Sequence, residues 1–339
     1  MLFRSVGSSD WDEFFGHYPC ILDNGSELGA LNENDFSKYA DGSSAPITTI
    51  GKDVMIAFPR RGIKISKENN VLTVSMTDED NAEGYSYKAH SYKSTNCEKF
   101  YLGAYKAYES DSKLYSVSGK TPTTNQNIGT FRTKAQARGT GYEQSGFFQL
   151  TYRQVMYLLK YKGQNAQVAI GRGFVDGNSA IYGNTGYTND KGMDYGESTG
   201  KYPMCLFGLE DFYGNIYEFI DGIYSNANRQ LLVADGNFND TGSGYTDAGT
   251  ATFGSNISGY MKDANGTNLA GFTLSSTSYG SETTYFCDYA YVYASRLAFF
   301  GGRWVNASNA GVFRLNVDLT ASYAIAACGA RLMYMKEAA

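Results

Sequence analysis

Helical periodicity is scarce along this chain, and only one stretch shows it clearly. In LTYRQVMYLLKYKG, residues 150–163, Val155 and Leu158 fall on one helical face, and Thr151 is placed to cap the helix. A second, weaker helix is predicted over FRTKAQARG, residues 131–139. The hydrophobic pattern therefore predicts two main helices, both in the middle of the chain.

Most of the remaining hydrophobic residues occur in short runs that are typical of strands. Such runs are DVMIAF at 53–58, NVLTVSM at 70–76 and KFYLGAYKAY at 99–108. Residues 163–285 are rich in Gly, Asn, Ser and Thr and are predicted to form long loops. NENDFSKYADGSS, residues 32–44, suggests a short helix and a linker. The fold class expected is α+β, with short strands, two main helices and long loops.

Composition and charge exclude several classes of partner. The chain has 339 residues and a formal net charge of -5, which argues against a nucleic-acid groove and against a polybasic membrane contact. No apolar run approaches the length of a membrane span, and the first residues, MLFRSVGSSDWDEFF, lack the apolar core of a secretory signal. We therefore expect neither nucleic-acid binding nor membrane insertion.

The cysteines do not form a recognisable metal or disulfide pattern. They are five in number, far apart and without a CxxC motif, which argues against a zinc ribbon and a disulfide framework. Reduced, buried thiols are the favoured interpretation. The two histidines, His17 and His90, are far in sequence from any Ser or Cys elbow, so a histidine-based nucleophilic triad is poorly supported.

Four motifs, in this order, carry a resemblance to a known family. They are LTYRQVMYLL, LFGLEDFYGNIYEFIDG at 206–222, FFGGRWVNASNAG at 299–311 and CGARLMY at 328–334. This series resembles the C-type-lectin fold of the formylglycine-generating-enzyme (sulfatase-modifying factor) type, from about residue 95 to 335. The resemblance implies a lectin-like domain over residues 51–339. Residues 1–50 resemble nothing nameable and are expected to be an N-terminal attachment or oligomerisation segment.

The resemblance implies two opposite functions. The enzyme of this family uses a pair of its own cysteines to hold copper and oxidise a cysteine of a sulfatase. Cys328 falls close to the position of the second cysteine, but residues 323–327 contain no partner for it. Because one thiolate cannot hold a soft copper ion alone, we expect the chain not to be an enzyme and to need no cofactor.

The second implied function is that of the variable protein of a diversity-generating retroelement, such as a phage tail-tip tropism determinant. These proteins display a mutated receptor-binding face near the C-terminus, which here corresponds to residues 298–331. Mutated Asn codons cannot become Lys, Glu, Gln, Met or Trp, and residues 305–328 contain none of these five types. Residues 231–260 also lack all five, so this absence supports the interpretation without proving it. The alternative is a bacterial surface or secreted lectin-like module with a fixed ligand.

The resemblance places a ligand-binding face in the C-terminal segment and a structural frame around it. The expected display residues are Arg303, Val305, Asn306, Ala307, Phe313, Asp318, Leu319, Tyr323, Ala324, Ala326 and Ala327, with Cys328 at the edge. The expected frame residues are Gly214, Asn215, Glu218, Gly301, Gly302, Trp304 and Arg331. Of the 29 tyrosines, most are expected to pack loops onto the core, and only Tyr323 is expected to contact a ligand.

Metal and partner expectations follow from the same resemblance. The motifs EPN, QPD and WND, which are used for calcium-dependent sugar binding, are missing, and WVN at 304–306 matches WND only in part. A site for a structural Ca²⁺ ion stays an alternative, since the Asp- and Asn-rich loops offer oxygen ligands. The expected partner is a host-surface protein or glycan receptor. The expected location is the virion tail tip or a cell surface, where the chain would form a homotrimer.

Overall fold

A computed structural model of the chain describes residues 8–177, 180–250 and 252–335. It consists of two large β-sheets, several hairpins and few helices, so the fold is of the α+β kind. The helices are α1 (Ser8–Phe15), α2 (Ile128–Gln136), α3 (Phe147–Tyr161) and the short α4 (Ala166–Ala169). Two short 3-10 helices span Lys88–His90 and Ala307–Asn309.

The first sheet has seven strands, all antiparallel to their neighbours. In chain order they are β1 (Tyr18–Asp23), β2 (Ser26–Asn32), β3 (Asp35–Tyr39), β4 (Lys52–Pro59), β5 (Lys99–Gly103), β6 (Tyr142–Gln144) and, at the C-terminal end, Leu332–Met335. Their order in the sheet is β6, Leu332–Met335, β5, β4, β1, β2, β3. The C-terminal strand therefore lies inside this sheet, between two earlier strands.

The second sheet is formed by eight strands of the C-terminal half. They are β7 (Tyr217–Ser225), β8 (Leu231–Val233), β9 (Thr246–Asp247), β10 (Ile257–Tyr260), β11 (Tyr289–Val292), β12 (Arg296–Phe300), β13 (Leu315–Leu319) and β14 (Cys328–Gly329). Their order is β9, β8, β7, β12, β13, β11, β10, and β14 pairs with β7. The β7–β14 and β11–β13 pairs are parallel, and the other pairs are antiparallel.

Five hairpins complete the secondary structure. They are Gly62–Glu68 with Val71–Thr77, Ser91–Tyr92 with Thr95–Asn96, Tyr108–Ser110 with Lys113–Tyr115, Cys205–Leu206 with Leu209–Glu210, and Asp263–Ala264 with Leu274–Ser276. The predicted strands at 53–58, 70–76 and 99–108 are confirmed, the last over its first five residues.

Two large apolar clusters form the core. The larger one surrounds α3, whose Phe147, Leu150 and Met156 are buried in it. The second includes residues of both sheets together with α2, whose Phe131 packs against Phe219 of β7 at a ring-centroid distance of 5.8 Å. The two sheets and these helices are thus held together by continuous apolar contact.

Both main helices are confirmed, but their N-termini differ from the prediction. Helix α3 begins after Gly146 rather than at Thr151, because the preceding aromatic residues are buried and extend the apolar face by one turn. The expected cap at Thr151 is therefore wrong, since this residue lies within the helix. Helix α2 begins earlier than predicted because the Asn127 side chain accepts a hydrogen bond from the backbone N–H of Thr130 at 2.8 Å.

The N-terminal residues are part of the first sheet. Strand β1 pairs with β4 over six residues, including Cys20 opposite Met55. Strands on both sides of the expected domain boundary at residue 50 therefore belong to the same sheet. The helix expected within 32–44 is wrong, because β3 occupies that stretch and pairs with β2. Residues 1–7 and 336–339 of the two expected domains lie outside the described residues. Within the described part of the chain, no helix is long and apolar enough to cross a membrane.

Candidate functional site

The frame of the site is centred on Glu218 in β7. Its neighbours Tyr217 and Phe219 pack into the second apolar cluster, while the Glu218 carboxylate points the opposite way, as alternation along a strand requires. That carboxylate accepts hydrogen bonds from Lys106 Nζ at 2.7 Å and Arg331 Nε at 2.8 Å, and Arg153 Nη2 lies 3.4 Å away. These side chains are essentially fully buried. Glu218 is therefore the centre of a buried ion network.

Arg331 extends this network to the backbone. Its guanidinium donates to the carbonyl oxygens of Gly103, Ala104 and Glu210 at 2.7 to 3.0 Å. Two separate segments, at residues 103–104 and 210, are thereby tied to the residue that precedes the last strand. Glu218 is thereby connected to these segments through Arg331.

Gly214 and Asn215 form a left-handed turn before β7, with φ of 82° and 58°. The Asn215 Oδ1 atom accepts from the backbone N–H of Tyr182 at 2.9 Å, and its Nδ2 donates to Asp211 Oδ2 at 2.6 Å. Its carbonyl accepts from the backbone N–H of Trp304 at 3.0 Å. This turn thus links the loop before residue 182 to the segment that carries the candidate face.

The GGxW element makes a close approach of two backbone segments. Gly301 and Gly302 have φ of 91° and 95°, and a Cβ atom on Gly302 would lie 2.7 Å from the Cβ of Ala310. Trp304 is buried and packs with Ile216 and Ala327. Gly301, Gly302 and Trp304 thus hold the 301–311 segment against residues 216 and 327.

The twelve expected display residues do not share one environment. Val305, Ala324 and Ala326 are exposed, and five more are half-buried, namely Arg303, Asn306, Ala307, Asp318 and Tyr323. Four are buried and contradict the expected exposure, with exposed fractions of 0% for Phe313, 4% for Leu319, 1% for Ala327 and 0% for Cys328.

The four exceptions have clear physical reasons. Phe313 packs edge-on against Tyr157, Phe272 and Phe286 in the main core. Leu319 and Cys328 lie on the strands β13 and β14 and belong to the second apolar cluster. Ala327 supports Trp304, as described above. Sequence position alone had placed these residues on the face.

A row of tyrosines lies on the outer face of the second sheet. This row was not predicted from the sequence. Tyr289 and Tyr291 of β11, with Tyr293 just beyond, are half-buried and alternate with the buried Ala290 and Val292. Their ring centroids are separated by 5.2 and 5.8 Å. The period-two pattern in YAYVY, residues 289–293, was a signal that could have revealed the row.

The row continues onto β10. Tyr260 is opposite Tyr289 in the strand register, and their ring centroids are 5.3 Å apart. The tyrosine row is thus composed of Tyr260, Tyr289, Tyr291 and Tyr293. Rings at these spacings present apolar faces and hydroxyl groups together, which suits contact with an amphipathic ligand.

Beside the tyrosine row, β13 contributes polar side chains with atoms left unpaired. Asn316 is opposite Tyr291 in the register, and Asp318 follows it on the same face. Buried polar atoms without a hydrogen-bond partner among the described residues include Asn316 Oδ1, Asp318 Oδ1 and Arg314 Nε. Asn316 and Arg314 are only 2% and 3% exposed. Since buried polar atoms are usually satisfied, an enclosed water molecule is the partner that suits these atoms.

Aromatic contacts connect this polar strip to the C-terminal loop. Arg314 Nη2 donates to the hydroxyl of Tyr217 at 3.0 Å, and the Tyr217 and Phe299 ring centroids are 4.0 Å apart. Phe299 in turn stacks on Tyr323 at 6.5 Å with nearly parallel planes. The half-buried Tyr323 is thus fixed at the border between the sheet face and loop 320–326.

Two titratable groups of the region have displaced pKa values. Burial raises the pKa of Asp318 to about 6, against the opposing charges of Arg314 and Arg296. Burial also raises the pKa of Cys328 to about 12, although the charge of Arg303 opposes this. The Cys328 thiol is therefore protonated at neutral pH, which does not suit a nucleophile or a copper ligand.

All five cysteines are buried, as predicted. Among the described residues, no group of three or more His, Cys, Asp or Glu side chains is arranged to hold a metal ion. The alternative of a structural Ca²⁺ ion, whose ligands would include Asn and backbone oxygens, is not tested by this arrangement.

Comparisons with known proteins give weak similarities only. No family model and no curated protein matches the chain. Among solved structures, Treponema denticola variable protein 1 is similar at 11% identity and a TM-score of 0.38, over 85% of this chain and 98% of that one. PvdO from Pseudomonas aeruginosa is similar at 10% identity and a TM-score of 0.34, over 87% and 100%.

A third solved structure is of the same order of similarity. The Major Tropism Determinant U1 variant has 12% identity and a TM-score of 0.29, over 93% of this chain and 78% of that one. Similarities at this level carry no argument about the fold or the function of this chain.

Proposed function

We propose that this chain is a ligand-binding display protein that uses the outer face of the second sheet and the adjoining C-terminal loop 320–326. One observation carries the proposal. A row of half-buried tyrosines lies beside a strip of polar side chains in which Arg314 Nε, Asn316 Oδ1 and Asp318 Oδ1 have no hydrogen-bond partner among the described residues. Tyr faces supply contact area at low entropic cost, and their hydroxyl groups, with the half-buried Asp318 beside them, suit a ligand that also carries polar groups.

The loop 320–326 supports the display part of the proposal. Its side chains are exposed or half-buried, while its backbone is held by the rest of the protein. The carbonyl of Ile325 accepts from the backbone N–H groups of Asn125 at 3.1 Å and Cys328 at 3.2 Å. Residues of a loop whose backbone is held in this way can be substituted without changing the backbone conformation. This property suits a diversified surface.

The finer proposal is a receptor-binding protein of a phage tail tip or of a cell surface, diversified by a retroelement on a lectin-type fold of the formylglycine-generating-enzyme kind. Its partner would be a host-surface protein or glycan, and the chain would act as a homotrimer attached through its N-terminal residues. The positions open to diversification are the exposed and half-buried ones. Phe313, Leu319, Ala327 and Cys328 are excluded by their burial.

The alternative is a lectin-like module with a fixed ligand, and the same exposed loop is compatible with it. The neighbouring DNA distinguishes the two. The retroelement proposal requires an adjacent reverse transcriptase gene and a near-copy of the 3′ coding end that differs only at adenines. Codons of the four buried residues should match the copy at every adenine, whereas codons of residues 305, 324 and 326 should not.

The binding role is tested with a combined variant, Val305→Asp with Ala324→Asp and Ala326→Asp. Labelled parent and variant are compared for attachment to a panel of bacterial cells. We expect the variant to keep a melting temperature within a few degrees of the parent, as surface changes do, and to lose attachment. The matched control is Val71→Asp, because Val71 is 63% exposed on the remote Val71–Thr77 strand. Unchanged attachment of the triple variant, or its unfolding, contradicts the proposal.

A further inference from the structure

A pocket opens at one end of the tyrosine row. Its volume is about 350 Å³, and it lies between the loop around α4 and the loop that precedes β11. Its lining includes Gln167, Arg172, Ser198, Glu282, Asp288 and Ser308. The hydroxyl oxygen of Tyr260 is 3.1 Å from Ser308 Oγ, so the pocket and the tyrosine row share a border.

The walls of this pocket are fixed by internal bonds. The Gln167 amide nitrogen donates to the carbonyl oxygens of Ala307 and Ala310 at 2.7 and 2.8 Å. The Gln167 Oε1 atom accepts from Arg172 Nε at 3.0 Å. The α4 loop is thereby tied to the 3-10 helix that carries Ser308, and the pocket is formed before any ligand arrives.

The charge of the pocket suits an uncharged ligand. The Arg172 guanidinium is already paired with Asp176, with Nη1 and Oδ2 2.5 Å apart. Asp288 is buried and accepts from the backbone N–H of Phe313 at 2.6 Å, and burial raises the pKa of this carboxyl well above its ordinary value. Glu282 is exposed and acidic. An anionic ligand would thus find no uncompensated cation among these residues and would be repelled by Glu282.

We infer, on the premise of the binding role proposed above, that the ligand is a neutral saccharide of a host-surface glycan. Its terminal unit occupies this pocket, and the following units lie along the tyrosine row. The hydroxyls of a sugar both donate and accept hydrogen bonds, and the Ser198 and Ser308 hydroxyls and the Glu282 carboxylate of the lining can pair with them. The C–H face of a pyranose packs on an aromatic ring, which the successive tyrosines provide.

The size of the pocket favours the same ligand class. A cavity of about 350 Å³ lies at the lower end of the range for small-molecule sites, where one or two sugar units fit. A folded protein receptor can place only one or two side chains there. The exposed Tyr285, in the loop that supplies Glu282, offers a further aromatic surface at this end of the molecule.

The test begins with the parent protein on an array of neutral oligosaccharides, built from glucose, galactose and N-acetylglucosamine, beside sialylated ones. The strongest neutral oligosaccharide is then titrated calorimetrically into the parent and three variants, Glu282→Gln, Ser308→Ala and Tyr289→Ala. We expect Ser308→Ala and Tyr289→Ala each to weaken binding about tenfold, through loss of a hydrogen bond and of a stacking face. Glu282→Gln should let sialylated glycans bind more strongly than they bind the parent.

The matched control is Tyr202→Ala, because Tyr202 is 40% exposed and belongs to the separate aromatic cluster with Tyr182 and Tyr187. It should bind the oligosaccharide as the parent does. Melting temperatures verify that all variants are folded. Binding of sialylated glycans alone overturns the inference, as does equal binding by Ser308→Ala, Tyr289→Ala and the parent. Capture of a glycan-free protein receptor with no saccharide binding also overturns it.

The failure of this inference is separable from that of the proposed function. If the triple variant of residues 305, 324 and 326 loses cell attachment while no saccharide binds the parent, the display role stands and the saccharide inference falls. If the parent binds saccharide through Ser308 but the triple variant attaches normally to cells, the C-terminal loop is not the display surface. The two experiments use different residues and different readouts.

Discussion

Replacing Glu218 by Gln should destabilise the protein by about 3–5 kcal/mol, because it breaks a buried ion network while keeping the shape of the side chain. Lys106 and Arg331 bond this carboxylate at 2.7 and 2.8 Å, and their side chains are 1% and 0% exposed. Arg153 is a third buried cation at 3.4 Å. In the variant, these cations face an amide that cannot compensate their charge.

The magnitude follows from burial rather than from the number of bonds. A neutral hydrogen bond is worth about 1 kcal/mol, so two of them would account for only about 2 kcal/mol. The larger figure reflects the cost of leaving cations in a site without water. The Lys106 ammonium shows this cost, because burial lowers its pKa to about 8 even against the attraction of Glu218.

The pH dependence provides a second test of the same network. Burial alone would raise the pKa of Glu218, but the charges of Lys106, Arg331 and Arg153 outweigh it and hold the pKa below its ordinary value. The stabilisation by the carboxylate is therefore complete above the unfolded pKa of about 4.3 and is lost as pH falls through the lower folded value. The destabilisation caused by Glu218→Gln should therefore shrink in acid, as the parent carboxylate becomes protonated in both the folded and the unfolded state.

The assay is urea unfolding followed by circular dichroism, with the free energy of unfolding compared between parent and Glu218→Gln. The control is Glu33→Gln, at an exposed position, which should change stability by no more than about 0.5 kcal/mol. A loss below about 1 kcal/mol for Glu218→Gln would refute the argument, because it would mean that water reaches the three cations.

The remaining predictions concern the turn at Asn215, the core residue Phe313, and the two groups with raised pKa values, Asp318 and Cys328. Asn215→Ala should lower the free energy of unfolding by about 1–3 kcal/mol, and Asn215→Gly by slightly less, since glycine tolerates the left-handed backbone. Loss of ligand binding without loss of stability would show instead that the turn is functional. Phe313→Ala should cost about 3–5 kcal/mol, and a variant as stable as the parent would return this residue to the display face. Asp318 has a raised folded pKa of about 6, so stability should fall as pH rises from about 4 through about 6, and Asp318→Asn should flatten that decline. Protein given Cu(I) and a sulfatase-type cysteine peptide should yield no aldehyde by mass spectrometry, and turnover dependent on Cys328 would overturn the binding-protein proposal.

Local sequence patterns were sufficient for the elements that depend on near neighbours. The helix over residues 147–161 and the strand over 52–59 were predictable because their apolar periods reflect burial on one face or on both. The left-handed turn at Gly214 and Asn215 was also predictable from local sequence, since glycine and asparagine adopt that backbone conformation more readily than other residues. The start of helix α3 was not predicted well, because aromatic burial from elsewhere in the chain extends it.

The exposure of the C-terminal residues was decided only by tertiary structure. Phe313 and Tyr323 are both aromatic residues in one short segment, yet Phe313 is surrounded by three aromatic rings and Tyr323 remains half-exposed. The tyrosine row likewise depends on which strands become neighbours, since β10 and β11 are separated by more than twenty residues of loop and hairpin. A residue's own sequence neighbourhood sets its backbone preference, but its solvent exposure is set by distant segments that pack over it, and these meet only in the folded chain.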